Sequence, residues 1–217
     1  MEHRWGAASD VRCRKYHEAV IAAIILAGGD SIRMGSPKAL LLAPDGQPFV
    51  VRIVRAFIEA GVPAVTVVTG SAHERIASAL RAAFPERPDL PVRNPDPSRG
   101  QLSSLWTGMD AVITDDTEAL LMTLVDVPLV SAATVSMVVD AWRGSQAAIV
   151  RPAIGERHGH PVLFDRSLFT ELRRAPLEGG AKTVVRRHET RILHVVPPDE
   201  GCLRDVDTPE DYEAISG

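Results

Sequence analysis

The chain contains two cysteines, Cys13 and Cys202, with neither a CxxC partner nor a metal-ligand pattern beside them. That excludes a disulfide framework as the organising device, and a reducing cytoplasm is the simplest setting. Long apolar runs are missing as well. The longest, Ala19 to Ala27, falls far short of the roughly 20 residues that cross a bilayer. A basic excess is also absent. The formal net charge is −4, which argues against the basic face of a general nucleic-acid binder but leaves room for a basic pocket in one cleft. The first residues mix Glu2, Arg4, Asp10, Arg12 and Lys15 without an apolar core, so they do not form a signal peptide pattern. Neither a Walker A loop nor a GxGxxG fingerprint occurs, and no Ser-His-Asp type constellation is evident.

At 217 residues the sequence suits one domain with a substantial core. Residues 1–18 are expected to form a flexible tail or an expression remnant, and 19–217 a single domain. The apolar, β-branched run over Val20–Leu26 predicts a strand buried on both faces. Helical apolar spacing follows over Phe49–Ala60, closed by Gly61. A strand is predicted over Ala64–Thr69, then a helix over Ala72–Phe84. Pro85 to Pro97 is proline-rich and reads as loops around one short extended piece. A helix over Ser103–Val112, a strand over Ala119–Val125 and a helix over Ala132–Trp142 come next. Beyond them the pattern is less regular, with extended pieces at Ala147–Val150, Pro161–Phe164 and Arg191–Val196. Two further helices are expected, over Ala181–His188 and Pro209–Ile215. Strands alternating with helices imply α/β architecture, a three-layer Rossmann-like arrangement with a mostly parallel sheet and helices on both faces.

The most informative segment is Leu26-Ala27-Gly28-Gly29-Asp30-Ser31-Ile32-Arg33-Met34-Gly35-Ser36-Pro37-Lys38. It follows the first buried strand, and in open α/β sheets ligands bind at the carboxyl ends of strands. Glycines there let backbone N–H groups approach phosphate oxygens without a Cβ in the way. Arg33 and Lys38 add fixed positive charge. The plain alternative is a flexible turn with solvated charges. Asp126 follows the strand ending near Val125 and belongs to the same sheet edge. Asp205 lies just before the last helix. Magnesium takes few carboxylates together with phosphate oxygens and water, and two aspartates at such phosphates would suit it. Equally, Asp126 could cap a turn, and Asp207 or Thr208 could cap the last helix with Pro209 at its first position. His158 and His160 lack a third zinc ligand at a suitable spacing.

In order along the chain, LAGGDSIRMGSPKALL, Asn94-Pro95 with Gly100-Gln101-Leu102-Ser103-Ser104-Leu105 and Gly108-Met109, Leu124-Val125-Asp126-Val127-Pro128-Leu129, His158-Gly159-His160-Pro161-Val162-Leu163-Phe164 and Asp205-Val206-Asp207-Thr208-Pro209-Glu210-Asp211-Tyr212 resemble five motifs of the MobA-like molybdenum-cofactor nucleotidyltransferases. These belong to the wider nucleotide-diphospho-sugar transferase superfamily. The resemblance implies a magnesium-dependent transfer of a nucleoside monophosphate from an NTP to the terminal phosphate of molybdopterin or its molybdenum-loaded form, with release of pyrophosphate. It implies Arg33, Lys38 and Asp126 as catalytic residues. Leu26, Ala27, Gly28, Gly29, Ser31, Arg33, Lys38, Gly100, Ser103 and Ser104 would bind the nucleotide, and Asp126 and Asp205 the metal, with Asp207 second to them. Gly159, His160 and Pro161 would line the acceptor pocket, where His160 can donate to a phosphate or a pterin. Lys182, Arg186 and Arg187 either border that pocket or form a solvated face.

The attacking phosphate oxygen of such an acceptor is already anionic, so positioning and charge compensation must supply most of the catalysis. Arg33 then falls to the β- and γ-phosphates and Lys38 to the α-phosphate and incoming acceptor. The base is signalled two ways. Gly-Gln-Leu-Ser-Ser-Leu and Gly-His-Pro resemble the cytidylyl (MocA-like) branch. Leu-Ala-Gly-Gly resembles the guanylyl branch, where Gly28 would leave room for a purine. CTP is favoured over GTP. Other readings are an oxidoreductase acting on hydroxylated pyridines, for which no nicotinamide or flavin fingerprint is visible, and a non-catalytic nucleotide-binding accessory protein. The partner implied is a molybdenum hydroxylase or its chaperone, with no nucleic acid and no membrane.

Overall fold

The computed structural model describes residues 19–29, 36–145 and 147–216. The strands are β1 (Val20–Ala27), β2 (Ala64–Thr69), β3 (Pro91–Arg93), β4 (Thr117–Leu124), β5 (Ile149–Ile154), β6 (Arg157–His158), β7 (Val162–Asp165) and β8 (Ile192–Val195). The helices are α1 (Phe49–Glu59), α2 (His73–Ala83), α3 (Gln101–Val112), α4 (Ala132–Arg143), α5 (Phe169–Arg174), α6 (Gly180–Arg187) and α7 (Pro209–Ser216). The strands join one sheet in the order β3-β2-β1-β4-β7-β5-β6, with β8 alongside β5. β1, β2, β3 and β4 are mutually parallel, and β8 runs parallel to β5. β7 lies antiparallel between β4 and β5.

The predicted strands and helices are all present, with ends shifted by a few residues. Two elements were not foreseen. Helix α5 has six residues, too few for its periodicity to register. The β5–β6 hairpin pairs only Ala153 with His158 and Ile154 with Arg157.

Strand β1 explains the layering. Its side chains alternate between two apolar clusters, as the period of two requires. Ile21, Ala23, Ile25 and Ala27 pack with Val50, Val54 and Phe57 of α1 and Val135, Val138 and Trp142 of α4. Ala22, Ile24 and Leu26 face the other way, onto Leu102, Leu105 and Met109 of α3. A strand covered on both sides has no polar face to show, which is why it appears as an unbroken apolar run.

The order of the central strands places the site. From β1 the chain crosses to β2 on one side, and β4 then adds on the other side. The connections leaving β1 and β4 therefore part in opposite directions at their carboxyl ends, opening a crevice there.

Helix α3 sits unusually close to β1. A Cβ on Gly108 would lie 2.7 Å from Cγ2 of Ile24 and 2.9 Å from its Cδ1. We expect Gly108→Ala to destabilise the fold by about 1–3 kcal/mol through overpacking. Adding Ile24→Val, which removes Cδ1, should return part of the loss in a thermal melt. Full additivity of the two substitutions would show that they do not meet.

Candidate functional site

The crevice has a volume of 840 Å³ and is lined at its base by Leu26, Ala27, Gly28 and Gly29 from the end of β1 and by Leu124, Val125 and Asp126 from the end of β4. That volume is within the range of small-molecule sites. Ser71 and Ala72 close one side at the start of α2, and Gly100, Gln101 and Ser104 close another at the start of α3. Among the described residues, the N-cap positions Ala72 and Gly100 make no side-chain cap hydrogen bond. Uncapped first-turn N–H groups carry partial positive charge and favour anions. Gly100 holds φ +88°, a left-handed conformation that glycine accepts at no steric cost, and this turn starts α3 at the crevice wall.

Lys38 lies in a short 3₁₀ turn and also lines the crevice. Its Nζ donates to Oδ1 of Asp207 at 2.8 Å. Asp126 stands close to this pair. Its Oδ1 is buried with no hydrogen-bond partner among the described residues. Burial pushes its carboxyl up to about 6, against the downward pull of Lys38 and with an added push from Asp205 and Asp207. Among the described residues no group of three or more His, Cys, Asp or Glu side chains is placed to hold a metal ion, so the buried oxygen of Asp126 fits only a divalent cation held mainly by phosphate and water.

Local structure explains how residues so far apart meet. The backbone N–H of Val206 donates to the carbonyl of Asp126 at 2.7 Å, which sets Asp205 and Asp207 on either side of this tie. Val206 is buried with Ala43 and Phe49, and Phe49 faces the ring of Tyr212 at a centroid distance of 6.0 Å. Arg52 of α1 donates from Nε to the carbonyl of Pro128 at 3.0 Å, which holds the turn after Asp126. Thr208 caps α7 by accepting from Asp211 N–H at 3.1 Å, and Asp211 accepts in turn from the N–H groups of Asp207 and Thr208. Asp207 is therefore not the cap, and its carboxylate is left to Lys38.

Most of the anticipated nucleotide residues converge. Leu26, Ala27, Gly28, Gly29, Lys38, Gly100 and Ser104 all line the crevice with Asp126. Ser31 and Arg33, like residues 1–18, lie outside the described residues. Ser103 stands behind the wall, where its hydroxyl donates to the carbonyl of Gly100 at 2.8 Å. Asp205 does not line the crevice, whereas Asp207 does. Asp205 is still near enough to raise both the Asp126 and the His160 titration. Ser71 and Ala72 are lining residues that no sequence motif pointed to, and Gln101, inside the second motif, was not among the residues expected to bind nucleotide. They arrive through the β2–α2 connection and the first turn of α3, which only the strand order brings beside β1.

A Cβ on Gly28 would lie 3.1 Å from Oγ of Ser104 and 3.7 Å from the backbone nitrogen of Gly70. The space beside Gly28 is thus filled by the Ser104 hydroxyl rather than left open for a larger base.

The Gly159-His160-Pro161 segment lies outside the crevice lining, next to β4. Met122 pairs with Val162, so His160 comes level with the carboxyl end of β4. A Cβ on Gly159 would lie 2.4 Å from the carbonyl oxygen of Cys202, so close backbone packing explains this glycine. His160 N–H donates to that same carbonyl at 2.9 Å. The His160 ring faces the Met122 carbonyl through Nδ1 at 3.4 Å, and burial lowers its basicity. A carbonyl only accepts, so the proton of the neutral ring sits on Nδ1 and Nε2 is left as an acceptor. Arg151 and Lys182 act on the same imidazole, so both stand on this side of the site.

A three-layer α/β fold with an acidic and cationic crevice at its switch point defines a nucleotide-handling protein of the nucleotide-diphospho-sugar transferase fold. Residues 23–192 match the MobA-like NTP transferase domain, and the chain belongs to that family. It is 29% identical to Rv0371c of Mycobacterium tuberculosis H37Rv, whose crystal structure superposes with a TM-score of 0.69, covering 91% of this chain and 98% of the other. Rv0371c has also been solved in a complex with manganese. A probable molybdenum cofactor guanylyltransferase of Mycobacterium avium (strain 104) is 24% identical over 197 residues, 90% of this chain and 95% of the relative. The bifunctional protein GlmU of Anaeromyxobacter dehalogenans (strain 2CP-1) is 34% identical over 130 residues, 59% of this chain and 26% of GlmU. The match thus spans about a quarter of that longer relative. Among the described residues no helix is long and apolar enough to cross a membrane.

The Asp126 titration has a consequence for stability. The unfolded carboxyl ionises near 3.8 and the folded one near 6. The folded state therefore binds more protons between these values, and the penalty for ionising Asp126 builds from about pH 4 to 6 and is complete above it. Its upper bound is about 3 kcal/mol. We expect Asp126→Asn to melt a few degrees above wild type at pH 8 without divalent metal, and with wild type at pH 4. Magnesium or manganese should raise the wild-type midpoint and leave the variant unmoved. Equal midpoints at pH 8 would mean that solvent already relieves the carboxylate.

Proposed function

We propose that the chain transfers a nucleoside monophosphate, CMP from CTP in preference to GMP from GTP, to the terminal phosphate of a molybdopterin-type acceptor. An acceptor phosphate oxygen forms a bond to the α-phosphorus, the bond from that phosphorus to the bridging oxygen breaks, and pyrophosphate leaves with the electron pair. The observation that carries this reading is the meeting of Lys38, Asp126 and Asp207 at the carboxyl ends of β1 and β4, beside two uncapped helix N-termini. Polyphosphate needs such fixed positive charge, and the nucleophile, already an anion, needs no general base. Lys38, released from Asp207, offsets charge at the α-phosphate as the acceptor arrives. The glycines at 28 and 29 let the backbone close on the nucleotide. Asp126, with Asp205 or Asp207, would hold a magnesium ion, which when bound offsets charge on the α-phosphate and on the leaving pyrophosphate. The manganese complex of Rv0371c supports a divalent ion at such a site.

Gly159, His160 and Pro161 border the acceptor in this reading. Nε2 of His160 accepts an N–H or O–H from it, and Arg151 and Lys182 supply charge for its phosphate. Guanylyl transfer is the second reading, supported by the name of the Mycobacterium avium relative. The Ser104 hydroxyl, which fills the space beside Gly28, supports the smaller cytosine.

The test is pyrophosphate release from each of the four NTPs with magnesium and molybdopterin. CTP should give the highest kcat/KM. Lys38→Ala should lower kcat by about 10²–10³-fold, the scale for a group that acts on transition-state charge, with the melting midpoint retained. A GTP preference would decide for the guanylyl reading, and unchanged turnover in Lys38→Ala would remove Lys38 from the chemistry.

A further inference from the structure

Lys38 and Asp126 are joined by a circuit of polar links. On one side, Nζ of Lys38 donates to Oδ1 of Asp207 at 2.8 Å, and the neighbouring Val206 N–H donates to the carbonyl of Asp126 at 2.7 Å. On the other side, the 3₁₀ turn that carries Lys38 runs into a hairpin loop over residues 41–48. The Leu42–Pro48 bridge closes this loop, with the Ala43 N–H donating to the Gln47 carbonyl at 2.8 Å. Asp45 stands at its tip. Arg52, one turn into α1, donates from Nη1 to Oδ2 of Asp45 and from Nε to the carbonyl of Pro128 at 3.0 Å. Pro128 is two residues beyond Asp126, so one guanidinium joins the Lys38 segment to the Asp126 turn.

A guanidinium suits this place because its donors point in fixed, different directions and hold two partners at a set separation. Asp45 is itself oriented. Its Oδ1 accepts the backbone N–H of Gln47 at 3.1 Å, and its Oδ2 accepts Nε2 of the same residue at 3.3 Å. The side chains of Arg52 and Asp45 are 30% and 33% exposed, and an ion pair that meets this much water adds little to folding. In the empty protein the link is also redundant, since Lys38 and Asp207 already close the circuit. That redundancy ends in the proposed reaction, where Lys38 leaves Asp207 for a phosphate. The polar connection between the Lys38 segment and the Asp126 turn then runs through Arg52.

We propose that Arg52 and Asp45 are positioning residues that keep Lys38 in register with Asp126 once a nucleotide draws Lys38 from Asp207, and so couple nucleotide binding to the divalent ion. The proposal rests on the nucleotidyl-transfer reading given above. Lys38 takes the phosphate charge and Asp126 faces the cation, so the two can act on one metal–nucleotide complex only at a fixed separation. Neither Arg52 nor Asp45 lines the crevice, and both act through the segments they join.

Equilibrium nucleotide binding without acceptor tests this, measured once with magnesium and once with a chelator. The probe is whichever of CTP and GTP the wild type binds more tightly. Magnesium should tighten that binding in wild type. Arg52→Gln keeps an amide donor near the Nε position and drops the link to Asp45, and Asp45→Ala drops the same link from the other end. Each should cut the magnesium enhancement by roughly 10-fold, the scale of a hydrogen bond to a charged group. The metal-free affinity and the melting midpoint of the empty protein should stay close to wild type. The double variant should lose no more than either single one, because both cut one link. The two substitutions change the net charge in opposite directions, so effects of opposite sign would mark long-range electrostatics and overturn the proposal. An equal loss with and without magnesium would make the pair merely structural and overturns it too. So do additive losses, or an unchanged enhancement. If one variant does not fold, the other decides by the same criteria. A wild type that binds neither nucleotide, or binds without any effect of magnesium, would instead bring down the metal-dependent nucleotidyl-transfer reading, and this proposal with it.

Discussion

The hydrogen bond from the Val206 N–H to the Asp126 carbonyl, 2.7 Å long, is the contact on which the rest of the site depends. It joins the turn after β4 to a segment 80 residues further along the chain. Without it Asp205 and Asp207 would have no reason to be near Asp126. Asp205 and Asp207 both disfavour the charge on Asp126, so the tie needs support from neutral contacts. Val206 buries its side chain with Phe49, Phe49 packs on Tyr212 of α7, and Arg52 holds the carbonyl of Pro128. Apolar packing and backbone hydrogen bonds thus keep together groups that electrostatics would separate.

That arrangement leaves an imbalance built into the fold. Asp126 is held at a higher proton affinity than a free carboxyl, and one of its oxygens is buried without a partner. Lys38 offsets part of the negative charge but is itself paired with Asp207. The starts of α2 and α3, whose N-cap positions make no side-chain cap hydrogen bond among the described residues, meet at the same crevice. Each feature is a cost, or at best neutral, to an empty protein. In the proposed function each would become favourable on binding, with a divalent cation at the carboxylate and a polyanion at the lysine and the helix ends.

The glycines illustrate how one residue type serves different ends. Gly100 permits a left-handed turn at the start of α3. Gly108 lets that helix rest on Ile24, and Gly159 lets the β6–β7 connection approach the backbone of Cys202. Gly28 faces Ser104 across a gap that a methyl group would tighten. The 159 position resembles part of an acceptor motif, yet its missing side chain is explained by packing. Gly108 and Gly159, both within motifs, thus serve by letting elements meet.

Much was legible from the chain alone. β1 announces itself because a strand covered on both faces must be apolar throughout, and the helices α1 and α4 because their covered stripes repeat every turn. The glycine loop, Lys38 and Asp126 could be placed at a sheet edge, since strand ends follow from local pattern. Local pattern carries no information about which strand lies beside which. The antiparallel insertion of β7 between β4 and β5, and with it the position of His160, comes from long-range pairing. So does the choice between Asp205 and Asp207. Residues two apart in an irregular segment look alike in sequence, and the Val206 hydrogen bond and the Thr208 cap decide which one turns to Lys38. The sequence determined the elements and the chemical groups at their ends. Tertiary structure decided which of those groups meet, because neighbours across a sheet are selected by packing between segments far apart in the chain.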